Sequence, residues 1–300
     1  MPEGHVTHAL AGRISSAFAG RPAAVSSPQG RFDDGAALLN GLTLIGASAW
    51  GKHLFVEFER DRWLNVHLGL IGKFSVMRHH LVPDPVRTGM PDGEVPVVGQ
   101  VRLRLLNDTW VADLRAPTVC AVVTPEKVDQ IQARLGPDPL RPDADGDQAD
   151  LAWRRISRST KPIAELLMDQ AVLAGVGNVY RCEVLFRHRV DPFRPGKEIR
   201  PSTWLAIWDD LVALMALGVA FGQVITMEDQ VADALAEVAD GSSAAHTALL
   251  TGARPGDRFE RRFALYKRTG EPCHVCGSKV RTQLVAGRNL FWCGRCQRRR

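Results

Sequence analysis

Four cysteines near the C-terminus constrain this chain most. CHVC and CGRC place Cys273, Cys276, Cys293 and Cys296 as two CxxC pairs with sixteen residues between them. Paired knuckles at this spacing match a four-thiolate zinc site, in which a metal replaces a core too small to form alone. Four protein ligands close the coordination shell, so such a zinc is structural. Two disulfides are the competing reading. The segment between the knuckles, GSKVRTQLVAGRNLFW, has the pattern of a β-hairpin. VRTQLV and NLFW are its strands, and AGR is a turn that presents Arg288 to solvent or to a phosphate. Cys120 and Cys182 stand apart from this cluster.

The charge is uneven in the same direction. Residues 251–300 hold 13 Lys/Arg against Asp257, Glu260 and Glu271, whereas the first 250 residues carry a slight acidic excess. A basic module on a mildly acidic body points to a polyanionic partner, with nucleic acid foremost; a solubilising tail is the plain alternative. No apolar run approaches the ~20 residues of a membrane span, and MPEGHVTHALAGR lacks a signal-peptide core. The expectation is a cytoplasmic protein with no membrane partner.

Periodicity divides the remainder. Val6, Leu10, Ile14 and Phe18 recur every fourth residue and predict a helix over 3–18. From about 40 to 123, LTLIGASA, HLFVEFER, RWLNVHLG, GKFSVMR, QVRLRLL and TVCAVV read as strands of a sandwich or barrel. Residues 79–99 read as an exposed loop and 136–150 as a linker by composition. Helical spacing dominates from there to about 225. Residues 241–258 turn polar and Gly-rich. In GVGNVY (175–180), Asn178 is expected to cap a helix whose first N–H groups can receive a phosphate. The fold expected is α+β. An N-terminal helix and β-sandwich domain (1–135) precede a helical domain (136–258) and a zinc finger (259–300).

The N-terminus offers chemistry. Met1 is commonly removed before Pro, which would leave Pro2 with a free amine of pKa ~8. A neutral secondary amine can attack a sugar carbon and form an iminium. Glu3 is placed to act as acid or base. Read alone, Pro2 is simply a suitable residue for a first helical turn.

Taken together these segments resemble the formamidopyrimidine-DNA glycosylase/endonuclease VIII family. MPEG is similar to its opening, which implies Pro2 as nucleophile and Glu3 as its acid/base partner. GKHLFVEF (51–58) resembles the strand of the catalytic lysine, here Lys52. HLGLIGKF (67–74) resembles the segment with a phosphate-binding histidine, here His67, and a void-filling side chain, here Leu70. LGPDPL (135–140) is similar to the hinge, and KPIAELLMDQAVLAGVGNVYRCEVLF (161–186) to the helix–two-turn–helix, with Asn178 on its phosphate loop. RTGEPCHVCG and GRNLFWCGRCQ resemble the family's finger, with Arg288 at the phosphate grip. The chain departs from the family where His5 and Val6 replace a Pro-Glu pair. ADLRAPTV (112–119) keeps one arginine, Arg115, of the Arg-Arg-Phe wedge. The finger's lead-in, FALYKRTGEPC, resembles endonuclease VIII more closely, and the MPEGH opening with SSPQGRF (26–32) is similar to actinobacterial members of that branch. The resemblance implies a monomeric bifunctional glycosylase/AP lyase of base excision repair with one structural Zn2+. It would act at the nucleoid on damaged double- or single-stranded DNA, prefer oxidised pyrimidines and cut by β,δ-elimination. An 8-oxoguanine/formamidopyrimidine glycosylase and a non-catalytic zinc-finger protein are the alternatives.

Overall fold

The computed structural model describes residues 2–79, 95–143, 145–240 and 256–298. Most of the expected loop at 79–99 and of the polar stretch 241–258 lies outside them. The chain forms two compact units. One contains residues 2 and 6–132; the other contains 3–5, most of 133–240 and 256–298.

In the first unit the four-residue period at the N-terminus is a helix, α1 (Gly4–Phe18), with Leu10, Ile14 and Phe18 buried. Its stripe packs with two antiparallel sheets. The first has the order β1 (Arg21–Pro22), β3 (Thr43–Trp50), β4 (His53–Phe58), β5 (Arg62–His67), β9 (Val119–Val123). The second has the order β2 (Ala24–Ser26), β7 (Leu103–Leu106), β8 (Trp110–Arg115), β6 (Lys73–Arg78). Alternate residues of both, among them Leu54, Val56, Leu64 and Val66 against Phe74, Leu103, Leu105, Ala112 and Leu114, form one apolar cluster with α1. This is the expected sandwich. Helices α2 (Asp33–Leu39) and α3 (Pro125–Gln132) complete the unit.

Strand β8 escaped the sequence reading because Asp113 interrupts its apolar pattern. Asp113 is buried, yet it lies in register opposite Arg104 of β7, which grips it with Nε at 2.8 Å and Nη2 at 2.9 Å. Arg104 also donates to the carbonyls of Val95 and Pro96. A buried pair of this kind is tolerated because each partner satisfies the other; removing one typically costs about 3–5 kcal/mol.

The second unit is helical: α4 (Gln148–Ile156), α5 (Ile163–Leu166), α6 (Asn178–Arg187), α7 (Pro201–Phe221) and α8 (Glu228–Ala239). It ends in the hairpin β10 (Arg281–Val285) and β11 (Arg288–Trp292). Two expectations need correction. The first is the linker at 136–150, whose opening residues 136–139 are buried. Gly136 donates to the Gln170 carbonyl, and a Cβ there would meet Val172 backbone at 2.5 Å. The Ala174 amide in turn donates to the Pro137 carbonyl at 2.8 Å. Pro and Gly mark a tight packed corner here. The second concerns apolar runs, because α7 is long and apolar enough to span a membrane by length and composition. It serves instead as the core helix, burying Trp204, Ile207, Trp208, Leu211, Leu214, Met215, Leu217 and Phe221. Leu265, Cys273, Val280, Leu290, Phe291 and Cys293 belong to that same core. The cysteine module therefore packs directly on the helices.

Candidate functional site

The start of α6 is built around Glu3. This carboxylate is fully buried and accepts the backbone N–H groups of Gly177 at 3.0 Å, Val179 at 2.8 Å and Tyr180 at 3.5 Å. A helix start offers unpaired donors and positive potential, and a carboxylate satisfies both. Gly177 is required because a Cβ there would lie 2.4 Å from the Glu3 carboxyl carbon. The Gly4 amide donates to the Gly175 carbonyl at 2.8 Å, fixing the approach. MPEG and GVGN are thus two halves of one arrangement. This overturns the expectation that these amides are open to a phosphate: Glu3 occupies them. Burial first, and then the neighbouring Glu3 carboxylate, raise the Tyr180 hydroxyl well above its ordinary pKa.

Asn178 is the first residue of α6 rather than its cap, which is Gly177. Its side chain joins the helix to the hairpin. Nδ2 donates to the Asn289 carbonyl at 2.9 Å, and Oδ1 accepts from Arg181. Arg181 is fully buried and also donates to the carbonyls of Ala164 and Val285. Arg288 opens β11 immediately after the two-residue turn Ala286–Gly287, both left-handed in φ. The Asn178–Arg181 pair thereby ties α6 to both strands of the hairpin, to β10 at Val285 and to β11 at Asn289. The Phe291 amide of β11 also donates to Cys182 Sγ at 3.4 Å. Glu183, one residue on, is fully buried and accepts the amides of Ala264, Leu265 and Tyr266 at 2.8–2.9 Å. Gln297 accepts the Cys293 amide and donates to the Val190 carbonyl. Arg181, Glu183 and Gln297 were not singled out in the sequence. Their signal was weak, consisting only of polar residues within apolar or cysteine-bearing stretches.

The four finger thiols converge. Their Sγ atoms lie within 4.8 Å of one another, with Cys276 and Cys293 at 3.4 Å and Cys273 and Cys296 at 3.9 Å. A tetrahedron of Zn–S bonds near 2.3 Å needs sulfurs about 3.8 Å apart, so the donor set fits zinc. The Ser278 amide and hydroxyl draw the Cys276 thiol down to about 6, while burial pushes Cys273 up.

In the first unit, several candidates share one end of the sandwich. Lys52 sits in the two-residue turn between β3 and β4, since Trp50 pairs with His53. His67 ends β5, pairs with His53, and accepts the Thr118 amide at 2.8 Å through its carbonyl. Leu70 lies in the following turn and is 53% exposed. Its neighbour Ile71, absent from the sequence reading, is 82% exposed. An apolar pair between Gly69 and Gly72 on a strand turn was the signal that could have found it. Arg115 ends β8 opposite Lys73. Its guanidinium is committed to its own unit, donating to the Val98 carbonyl, to Ser75 Oγ at 3.2 Å and to Asp113 at 2.9 Å. Pro2 is half-buried, two residues ahead of α1.

The chain is similar over its length to known proteins. Residues 1–119 match the formamidopyrimidine-DNA glycosylase N-terminal domain, 135–230 the formamidopyrimidine-DNA glycosylase H2TH domain, and 270–299 the zinc finger found in FPG and IleRS. Endonuclease 8 1 of Mycobacterium tuberculosis is 46% identical over 297 residues, which cover 99% of this chain and 100% of that protein. A formamidopyrimidine-DNA glycosylase of Novosphingobium aromaticivorans is 30% identical over 271 residues, 89% of this chain and 86% of its own. The crystal structure of MutM (Fpg) from Thermus thermophilus matches with TM-score 0.70 and 26% identity, covering 99% of this chain and 98% of that one. By its domains and its full-length identity, the chain belongs to the formamidopyrimidine-DNA glycosylase/endonuclease VIII family.

Proposed function

We propose that the protein excises oxidised bases from damaged DNA, pyrimidines in preference, and then cuts the strand. The observation that carries this reading is Glu3. It is a buried carboxylate oriented by three amides, directly after Pro2 in the chain. The target nucleotide is extruded, because its C1′ is unreachable within the stack. Leu70 and Ile71 fill the gap, as apolar wedges do in other complexes. The neutral Pro2 amine attacks C1′, and the C1′–N bond breaks as the base departs with a proton. Glu3 handles the proton transfer that opens the sugar. Lys52 and His67 hold phosphate. The iminium acidifies the C2′ protons, so β- and δ-elimination follow. The same reading has the protein act as a monomer in the cytoplasm, at the nucleoid, on double- or single-stranded DNA. Arg115 supports the segment around Val98, with any DNA contact secondary to that.

Cleavage of a panel of lesion-bearing oligonucleotides tests the substrate class. Hydroxylated and ring-saturated pyrimidines should be released faster than 8-oxoguanine opposite cytosine; the reverse order would reassign the enzyme to the purine branch.

The zinc supplies grip and no chemistry, and one ion per chain is expected. Replacing Cys276 with Ser should lower zinc content, loosen residues 260–298 and weaken DNA binding. Structural zinc contributes folding free energy directly, and this finger shares its core with the helices. Fully active protein with no metal by elemental analysis would contradict the assignment.

Arg288→Ala should weaken DNA binding by about 1–3 kcal/mol, the loss of a charge-assisted contact. The slope of log K against log salt should fall by about one. Asn178→Ala should weaken binding by releasing β11 from α6. An unchanged slope and affinity for Arg288→Ala would make it an ordinary surface residue.

A further inference from the structure

On the first sheet two imidazoles meet. His53 opens β4, pairs in register with His67, and the ring centroids lie 5.0 Å apart, edge to face. Each ring has one nitrogen committed. His67 Nδ1 lies 3.1 Å from the Gly69 backbone nitrogen, whose N–H it accepts. A backbone N–H only donates, so this nitrogen carries a lone pair, and the ring proton of His67 resides on Nε2. His53 Nδ1 lies 3.2 Å from Oδ1 of the buried Asn65. A carboxamide oxygen only accepts, so His53 Nδ1 carries the proton and its Nε2 the lone pair. The two rings are fixed in opposite tautomers.

We propose that His53 is a positioning residue that holds His67 as a neutral Nε2–H donor for a DNA phosphate. The ligand rests on the DNA-binding reading above; the tautomers do not. A cationic His67 would turn Nδ1–H against the Gly69 amide and forfeit that bond. It would also face the Lys52 ammonium and the His53 ring on the β4 side. From β9 it meets Val119, with Cys120 next along, and from the following turn only the Gly69 amide. Among the described residues, no carboxylate faces it from these elements to favour the cation. Burial first, then His53 and Lys52, push the His67 imidazole down to about 4. His53 itself is held by Asn65 and by stacking on Phe55 at 6.0 Å. A neutral donor orients a phosphate without releasing a counterion, and its grip does not vary across neutral pH.

The test is nitrogen-15 NMR of the imidazole rings in the full-length protein, paired with affinity for a duplex bearing an abasic-site analogue. Wild-type His67 should be neutral and Nε2-protonated, and His53 Nδ1-protonated, from about pH 5.5 to 8. In His53→Ala the His67 midpoint should move up towards its ordinary value of about 6.5. DNA affinity should then tighten several-fold as pH falls from 7.5 to 5.5, a gain that His53→Ala combined with His67→Asn removes. Wild-type His67 protonated on Nδ1, or titrating near 6.5, would overturn the proposal without any variant. An unchanged His67 titration in His53→Ala would overturn the role of His53. Expected tautomers in a protein that fails to bind DNA would overturn the proposed function and leave the imidazole pair standing.

Discussion

Protein that retains Met1 ahead of Pro2 is expected to lose strand cleavage at abasic sites by roughly 10³-fold or more, the scale seen when a covalent nucleophile is removed. Acylated by Met1, the Pro2 nitrogen becomes an amide with no basic lone pair, and an iminium cannot form. Freed, it is a secondary amine of pKa ~8, and a sizeable fraction is neutral at working pH. A lysine of pKa ~10.4 is over 99% protonated there, so Lys52 is the poorer nucleophile. DNA affinity should change little, because Asn178, Arg288 and the finger lie on other segments. Cleavage that persists in protein shown by mass to retain Met1 would remove Pro2 from the chemistry. Pro2→Gly keeps an amine and should retain part of the activity.

Glu3→Gln is the second large effect expected. A positioned acid or base contributes about 10²–10⁴ to a rate, and base excision should fall within that range. The substitution also touches stability. The introduced carboxamide would aim an NH2 group at one or more of the three amides that the carboxylate now accepts. Hydrogen bonds to a charged group contribute about 1.5–3 kcal/mol each, and a carboxylate at a partly buried helix start up to about 2 kcal/mol. A lower unfolding midpoint should accompany the loss of activity, with the GVGN segment remaining in place. Binding to a stable abasic analogue, measured well below that midpoint, separates the two effects. Intact binding with lost excision supports an acid/base role. Binding and excision lost in parallel would assign Glu3 to architecture alone.

The parts legible in sequence were those whose chemistry is local. Metal geometry restricts the spacing of Cys273, Cys276, Cys293 and Cys296, and the hairpin between them follows from alternation and a Gly turn. The α1 stripe was equally plain, because one helix face must meet the sheets. What escaped depended on partners distant in the chain. Strand β8 was obscured by Asp113, whose burial makes sense only with Arg104 opposite it. The amides of Gly177, Val179 and Tyr180 read as open because the carboxylate that fills them, Glu3, lies 174 or more residues earlier in the chain. Asn178 read as a cap because Asn commonly caps, yet its side chain joins the hairpin at Asn289. The corner at 136–139 read as a linker from Pro and Gly, whereas Gly136, with no Cβ, allows close packing on the Val172 backbone. Ile71 and His53 gained meaning only from exposure and strand register.

The central claim is that the chain's own N-terminal amine carries the covalent chemistry, and borohydride trapping tests it most directly. The processed enzyme is mixed with abasic-site DNA and reduced, and the linked peptide is mapped by mass spectrometry. The account predicts a single adduct on the Pro2 nitrogen. Attachment at Lys52, or equally efficient trapping by protein that retains Met1, would contradict it.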